Sequence, residues 1–333
     1  MSGAPRVAIG LNAVIVAVTD EVPRILTVLP RTGEPGDPAV EALPFGPLDP
    51  QHDRTLDRGL RRWVHEQTGL ALGYVEQLYT FGDRDRAPRA QRRGLREVSV
   101  AYLALVRETS VDDAARWRGW YEFFPWEDWR SGRPGLIDQA IAPALDAWIG
   151  GASETLVRQE RRERTDIVFG LHGAPWDGER VLERYELLYE AYLVPEAWRD
   201  RDDLSGLPED ARPAPPVPRP EPLPGRPMAA DHRRILATAL GRLRGKLKYR
   251  PVIFELLPSA FTLLQAQKVV EALAGVPLHK QNFRRLVETG GLVEGTGKLD
   301  SQTGGRPAEL FVFRRDVLRE RPAPGVGLPH VRR

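Results

Sequence analysis

The sequence predicts an α/β domain with a mixed sheet and flanking helices, followed by a small basic domain of helices and a two-stranded hairpin. Up to about residue 149, apolar runs typical of strands alternate with helical patterns. From Ala229 onward there are 19 Lys and Arg against 9 Asp and Glu, whereas the preceding part has 29 against 37. This charge division is typical of a nucleic-acid-binding module joined to a domain with another task.

Composition narrows the classes of protein. The chain contains no cysteine, which excludes disulfides, thiolate catalysis and cysteine zinc sites. Its apolar run from Val7 to Val18 is twelve residues long and includes Gly10 and Asn12, so it is too short to span a membrane and lacks the flanks of a signal peptide. We therefore predict a buried strand at this run and a cytoplasmic protein without a membrane partner.

The first predicted domain covers residues 1–149. Strands are expected at Ala13 to Val18, Ile25 to Leu29 and Val98 to Val106, where β-branched and apolar residues cluster. Helices are expected at Leu56 to Thr68 and Leu136 to Trp148. Residues 150–207 form an additional α-rich tract, predicted to pack on this domain because Gly178 to Tyr192 carries six apolar or aromatic side chains on one helical face.

A proline-rich segment marks the predicted domain boundary. Residues 208–228 contain nine prolines, which favour an extended, semi-rigid linker. The last domain, residues 229–325, begins with an amphipathic helix for which Asp231 is a possible N-cap. Its apolar stripe comprises Leu236, Leu240, Leu243 and Leu247, with Arg233, Arg234, Arg242 and Lys246 expected elsewhere. Thr262 is the predicted cap of a supporting helix from Leu263 to Ala274.

The segment Val276 to Phe313 predicts a winged helix-turn-helix. A helix is expected from Leu278 to Glu288, because its apolar residues recur at three- and four-residue spacing. A strand, a glycine-rich loop and a second strand from Leu310 follow. Outward-facing cations, amides and loop glycines suit contact with phosphates and base edges. The predicted DNA-binding residues are His279, Lys280, Gln281, Asn282, Arg284, Arg285, Lys298, Gly305 and Arg306.

Two stretches of the first domain resemble the signature of the Nudix family of nucleoside-diphosphate hydrolases. They are Leu43-Pro44-Phe45-Gly46 and Arg62-Trp63-Val64-His65-Glu66-Gln67-Thr68-Gly69-Leu70. In that family, glutamates on one helical face hold magnesium ions against a pyrophosphate. Here that face carries Trp63, Glu66 and Gln67, and Arg54 or a neighbour replaces the upstream glutamate. One carboxylate of three remains.

A single carboxylate is a poor anchor for a hard divalent cation. We therefore predict no catalytic residue, no metal site and no required cofactor, with hydrolysis lost or weak. Arginines can still hold a pyrophosphate through charge-assisted hydrogen bonds. The predicted ligand-binding residues are Arg31, Arg54, Arg62, Glu66 and Phe81. For each arginine, a solvated surface position or pairing with an acidic residue is an open alternative.

A Nudix-like domain followed by a winged helix resembles the Nudix-related transcriptional regulators of NAD metabolism. The most specific matching stretches are Lys280-Gln281-Asn282-Phe283-Arg284-Arg285 and Gly304-Gly305-Arg306-Pro307-Ala308. The resemblance implies a homodimeric repressor that binds a palindromic operator in double-stranded DNA and senses NAD, ADP-ribose or ATP. The extra tract departs from many family members. Arg184-Tyr185-Glu186-Leu187-Leu188-Tyr189-Glu190-Ala191 is similar to a longer branch linked to genes of de novo NAD synthesis.

Two rival functions stay open at this point. One is an active Nudix pyrophosphatase acting on ADP-ribose or a similar nucleoside diphosphate, with an accessory winged helix. The other is a DNA-binding protein that responds to no nucleotide and uses its Nudix-like domain for dimerisation alone. Release of AMP from ADP-ribose would distinguish the pyrophosphatase from the regulator. Absence of nucleotide binding would distinguish the DNA-binding protein without a sensor.

Overall fold

The computed structural model describes residues 6–29, 40–83, 95–203, 221–300, 307–320 and 325. Within these ranges the predicted fold class is confirmed: a mixed sheet with flanking helices precedes a helical domain with a two-stranded hairpin. Arg31, Gly305 and Arg306, three of the predicted site residues, lie outside the described ranges. None of the helices described here is both long and apolar enough to cross a membrane.

Six strands of the described residues form the N-terminal sheet. They are β1 (Arg6–Thr19), β2 (Val22–Val28), β3 (Phe45–Pro47), β4 (Tyr74–Phe81), β5 (Leu95–Leu105) and β6 (Ala115–Gly119). Their order is β4-β5-β1-β2-β6, and β3 pairs with β1 outside this path. β1 runs parallel to β5, whereas the other pairs are antiparallel. The predicted strands are therefore present, with bounds shifted by up to seven residues. The run from Val7 is not buried throughout, because Val7 is 60% exposed.

Apolar clusters cover both faces of this sheet. Successive side chains of β1 point to opposite faces, so they belong to different clusters. Leu11 and Ile15 belong to one apolar cluster, together with Leu60 of α1 (Leu56–Thr68). Val14 belongs to a second and larger cluster that continues into the C-terminal half of the chain. The sheet thus carries α1 on one side and the rest of the molecule on the other.

The predicted helix from Leu136 to Trp148 is present, but its first part differs from a regular α-helix. Ile137–Ile141 is a π-helical turn, and α2 (Ala142–Gly150) continues from it. Pro143 in the first turn of α2 lacks the N–H that a continuous α-helix would use, which accounts for the irregular bonding before it. The additional tract that follows contains α3 (Thr155–Phe169), α4 (Val181–Glu190) and α5 (Pro195–Asp203).

The end of the predicted linker is docked onto the protein. Met228 is fully buried, and its backbone N–H donates to Glu196 Oε1 at 3.0 Å. Arg199 donates to the carbonyl of Met228 at 2.7 Å. Gly225 has a φ of 136°, and a Cβ there would lie 2.4 Å from Arg233 Nη2. Residues 221–228 are therefore a packed segment rather than an extended spacer. Residues 204–220 lie outside the described ranges, and the domain boundaries stay a prediction.

The helix after this segment, α6 (His232–Leu247), lies between α4 and the sheet. Its predicted leucine stripe is confirmed as buried. The prediction that Arg233 and Lys246 lie away from the core is wrong, because both are buried as well. Arg233 pairs with Glu196 at 3.3 Å, and Lys246 pairs with Glu76 of β4. Packing on several sides leaves this helix little solvent-exposed surface.

The C-terminal domain has the predicted winged order. It comprises α7 (Leu263–Ala274), α8 (Lys280–Thr289), β7 (Val293–Asp300), β8 (Ala308–Phe313) and the short α9 (Val317–Glu320). Thr262 caps α7 as predicted, since its Oγ1 accepts from the Gln265 N–H at 3.2 Å while the Gln265 side chain accepts from the Thr262 N–H. Phe254 stacks on Phe313 of β8 with ring centroids 4.2 Å apart. The hairpin is thereby fixed to the helices.

A buried charge cluster joins the three parts of the molecule. Glu127, which follows the sheet, accepts from Arg184 Nε of α4 at 2.5 Å and from Arg244 Nη1 of α6 at 2.6 Å. Arg244 also donates to the carbonyl of Leu273 in α7 at 3.2 Å. Glu127 and Arg184 have no exposed side-chain surface, and Arg244 has 3%. We call these three residues the Glu127 cluster, since one carboxylate links the sheet domain, the additional tract and the winged domain.

Candidate nucleotide site and DNA-binding surface

The candidate nucleotide site is built on α1. Thr55 caps its first turn by accepting from the Arg58 N–H at 3.2 Å. Gly69, with a φ of 71°, ends it in the left-handed conformation that glycine adopts without strain. The helix thereby has the predicted bounds, and Trp63, Glu66 and Gln67 share a face as its periodicity requires.

Gln67 bonds to the protein's own backbone. Its Oε1 accepts from the N–H of Phe45 in β3 at 3.0 Å, and its Nε2 donates to the carbonyl of Phe45 at 2.7 Å. This pair of bonds uses both ends of the amide. A glutamate at this position has no donor for the carbonyl, so the clamp depends on the amide. Gln67 therefore fastens β3 to α1 instead of offering oxygen to a metal ion.

Trp63 fills the space next to this clamp. Its indole Nε1 donates to the carbonyl of Pro47 at 2.8 Å. The ring lies so close to Gly46 that a Cβ added there would come within 2.1 Å of ring carbons. On the other side, the guanidinium carbon of Arg62 lies 4.7 Å from the ring centroid. This aromatic ring, which is partly buried, has no atom that binds a metal ion.

Glu66 keeps the remaining carboxylate of this face. It is 48% exposed and lies 3.5 Å from Arg62 Nη1. Arg62 makes its closer ion pair with Asp53, at 2.9 Å. The Arg62 hydrogen bond, followed by the Asp49 backbone N–H, lowers the pKa of Asp53. Across the described part of the chain, no group of three or more His, Cys, Asp or Glu could hold a metal ion. Of the three residues on this face of α1, only Glu66 offers a carboxylate to a cation.

The predicted ligand-binding residues are only partly brought together. Arg62 and Glu66 are neighbours on α1, and Arg54 is exposed just before it. Phe81 at the end of β4 is 4% exposed and belongs to the other apolar cluster, where the guanidinium carbon of Arg234 lies 5.3 Å from its ring centroid. The ligand contacts of these residues, and of Arg31 outside the described ranges, stay predictions.

The candidate DNA-binding surface is the outer face of α8. Phe283 and Val287 are buried at 2% and 0% and fix this helix to the domain. Its turn from α7 is held by Glu271, which accepts from the Leu278 N–H at 2.9 Å, and by Gln267, which donates to the Leu278 carbonyl at 3.0 Å. The helix begins at Lys280, two residues later than predicted. The predicted helix residues are all exposed: His279, Lys280, Gln281, Asn282, Arg284 and Arg285.

The side chains of this surface differ in how far they are paired. Arg284 Nε donates to Glu288 Oε1 at 2.8 Å on the same helix, and this bond raises the pKa of Arg284. Lys298 on β7 is exposed, and its backbone N–H donates to Thr296 Oγ1 at 3.2 Å. An exposed basic helix beside a hairpin with a cationic residue can enter a major groove and contact the flanking phosphates. Which residues contact DNA stays a prediction.

Sequence reasoning missed two sets of long-range contacts between the elements that carry the candidate sites. The Glu127 cluster joins residues up to 117 positions apart, and no local pattern connects them. His232 at the start of α6 bonds to Leu43, which lies 189 positions earlier. His232 follows Asp231, the possible N-cap, and has no other local signal. Its position at the junction of α6 and β3 becomes visible in the fold.

The geometry defines the chain as a protein in which a Nudix-type α/β domain is joined to a winged helix. Residues 253–313 match the family of the NrtR DNA-binding winged helix domain. This match covers the winged helix domain and none of the sheet domain.

A characterised bacterial relative is similar to part of the chain. The chain is 37% identical over 86 residues to the ADPR responsive transcriptional repressor NtrR of Acinetobacter baylyi. That match spans 26% of this chain and 34% of the repressor, so it covers about a third of the relative's length.

Two solved structures match the fold along nearly the whole chain. NrtR of Shewanella oneidensis, complexed with a 27mer DNA, matches with a TM-score of 0.53 and 20% identity, over 93% of this chain and 95% of that one. A MutT/nudix family protein from Enterococcus faecalis matches with a TM-score of 0.51 and 16% identity, over 94% and 89%. Together they confirm the two-domain fold.

Proposed function

We propose that this protein is a transcriptional repressor of NAD biosynthesis genes whose Nudix-type domain senses an NAD-related nucleotide. The observation that carries the proposal is the contrast between two helices of one chain. The polar face of α8 is open to a partner, whereas Trp63 and Gln67 on α1 are bonded to β3. A DNA-binding helix attached to a Nudix-type domain without its metal ligands suits a sensor better than a catalyst.

The proposed effector is an adenine nucleotide. ADP-ribose is the first candidate, because the Acinetobacter relative is described as ADPR responsive; NAD and ATP are the others. No further cofactor is required in this proposal. Arg54 lies just before the start of α1, where helix N–H groups favour an anion, and Arg62 in the middle of the helix offers a guanidinium to a pyrophosphate.

The proposed mechanism requires two copies of the chain in the cytoplasm. A homodimer presents two α8 helices to the half-sites of a palindromic operator. A nucleotide that binds one arrangement of the dimer more tightly shifts the population towards it, and DNA affinity changes by the same coupling free energy. Repression then follows the concentration of the nucleotide.

Gel-shift titration of the full-length protein on the DNA upstream of its own gene tests this function. We expect sequence-specific binding at physiological salt, and a shift of the midpoint by one of ADP-ribose, NAD or ATP. Binding no tighter than to a scrambled fragment of equal length would overturn the DNA-binding function. Specific binding that no nucleotide alters, with no heat on calorimetric titration, would favour a DNA-binding protein without a sensor.

The retained carboxylate of Glu66 favours one second candidate, an active Nudix pyrophosphatase of ADP-ribose or a similar nucleoside diphosphate with an accessory winged helix. Glu66 is half-exposed and close to the cationic Arg62. Incubation with magnesium and ADP-ribose, followed by chromatography, tests this activity. Robust AMP release that disappears in Glu66→Gln would favour the enzyme over the regulator.

A further inference from the structure

His232 connects the start of α6 to the strand that α1 holds. Its Nδ1 accepts from the backbone N–H of Leu43 at 2.9 Å. Its ring meets the edge of Phe45, with centroids 5.0 Å apart and planes at 73°. His232 is 5% exposed, so few alternative partners can reach it. The contact is therefore a fixed one between α6 and the segment before and within β3.

The same short segment is held from its other side by α1. Gln67 forms both of its hydrogen bonds with the backbone of Phe45, two residues after Leu43. Residues 43–45 are thus hydrogen-bonded on one side by Gln67 of α1 and on the other by His232 of α6. A displacement of the α1 face cannot move Phe45 without changing the contacts of His232.

The protonation state of His232 does not change at physiological pH, so its hydrogen bond to Leu43 persists. Burial, with a smaller contribution from Arg199, lowers the pKa of His232 to about 3, so the ring is neutral at physiological pH. A neutral ring that accepts at Nδ1 carries its proton on Nε2. Arg199 faces the same region and donates to the carbonyls of Met228 and Ala230 at 2.7 and 2.6 Å. His232 therefore acts through its acceptor and its shape.

The far end of α6 is connected to the winged domain. The helix has 16 residues, which corresponds to a length of about 24 Å. Near its end, Arg244 bonds to the Leu273 carbonyl of α7 and to the backbone carbonyl of Glu127. α7 in turn holds the start of α8 through Glu271 and Leu278. A tilt of α6 at His232 thus reaches the DNA-binding helix through bonded contacts.

We propose that His232 is a positioning residue that couples nucleotide binding at the α1 face to the pose of α8. The inference rests on the proposed function and specifies its regulation. His232 touches neither the nucleotide nor DNA. Its role is to make α6 follow the Leu43 to Phe45 segment, so that the two binding sites share one free energy of coupling.

Two matched variants test this role. His232→Leu removes the acceptor at similar volume, whereas His232→Asn places Oδ1 where Nδ1 lies and keeps the bond to Leu43. Three quantities are measured for each full-length protein: operator affinity alone, ADP-ribose affinity alone, and operator affinity at saturating ADP-ribose. The ratio of the two operator affinities is the coupling, which is about fivefold or more in typical allosteric proteins.

We expect His232→Leu to keep both separate affinities within about threefold while its coupling falls towards one, and His232→Asn to restore the wild-type ratio. A merely structural role would lower the affinities or the stability and leave the ratio unchanged. If His232→Leu does not fold, Gln67→Leu breaks the other grip on Phe45 from the more exposed side and is expected to lose the same coupling.

The two levels of the proposal fail in different ways. Wild-type coupling that persists in His232→Leu, or in Gln67→Leu where the first variant does not fold, would overturn the role of His232 and leave the regulator intact. A wild-type protein whose operator binding responds to no nucleotide would overturn the sensor function, and the inference with it.

Discussion

Helices α1 and α8 are both amphipathic, yet their polar faces serve different purposes. On α1, the backbone of β3 supplies the hydrogen-bond partners of Gln67 and Trp63, while Glu66 beside them stays half-exposed. On α8, the side chains from Lys280 to Asn282 point into solvent. Similar amphipathic helices therefore differ in function according to whether the fold supplies their polar partners.

α1 and α8 lie in domains that pack together through the Glu127 cluster. The variant Glu127→Ala is expected to have the largest effect on this packing. The variant leaves Arg184 and Arg244 buried without their carboxylate, which costs about 3–5 kcal/mol of unfolding free energy. Thermal unfolding of the variant should begin well below the wild type. Glu122→Ala, which removes a carboxylate that is 43% exposed, is the control and should change little. Equal melting of both variants would contradict a single connected body.

The open face of α8 predicts the next largest effect. Replacing Arg284 and Arg285 by alanine removes two candidate base or phosphate contacts worth about 1–3 kcal/mol each, so operator affinity should fall by about a hundredfold or more at fixed salt. Arg116→Ala, an exposed arginine on the edge strand β6, is the matched control. Fluorescence anisotropy with labelled operator measures both. Affinity retained in the double variant would place the DNA-binding surface elsewhere.

The buried His232, which bonds to the segment before β3, is expected to make the stability of the protein sensitive to acid. The folded-state pKa of His232 is about 3, below its ordinary 6.5, so the unfolded chain binds the proton more readily. The contribution of neutral His232 is complete above about pH 6.5 and is lost as pH falls towards 3, by about 1.4 kcal/mol per pH unit.

Urea unfolding from pH 7 to 4, compared between wild type and His232→Asn, measures this contribution. The variant has no imidazole at this position, so its stability should fall less steeply with acid than that of the wild type. Parallel pH profiles of the two proteins would show that the histidine is not held neutral.

The ion pair between Arg284 and Glu288 on α8 is expected to have a small effect on DNA binding. Glu288→Gln removes the negative charge that pairs with Arg284 at 2.8 Å. An exposed pair of this kind is worth about 0.2–1 kcal/mol, so we expect operator affinity to rise by no more than about fivefold. Affinity for scrambled DNA should rise more, because the freed guanidinium can contact any phosphate. A larger gain for the operator than for scrambled DNA would reverse this role of Glu288.

The elements with local signals could be predicted from the sequence. α1 was expected from Leu56 to Thr68 and α7 from Leu263 to Ala274, and the structure has both with these bounds. Each combines a threonine cap, a terminal glycine and a helical apolar period within one short stretch. The winged order after Val276 was readable for the same reason, although α8 begins two residues later than expected.

The long-range hydrogen bonds around β3 could not be predicted from local patterns. The bond between Gln67 and Phe45 spans 22 positions, and the bond between His232 and Leu43 spans 189. Neither leaves a periodic pattern, because each depends on where two distant elements meet. A degenerate signature indicated that Trp63 and Gln67 were not metal ligands. Only the fold shows that both bond to the backbone of β3.

The Glu127 cluster also bears on how such a chain can change over generations. Once Arg184 of the additional tract shares this carboxylate with Arg244, losing the tract removes one cation and the carbonyl partners from around a buried acid. Losing Glu127 instead strands two cations. Each change alone disturbs a buried charge, so we expect a chain that has lost the tract to carry compensating changes at Glu127 or Arg244.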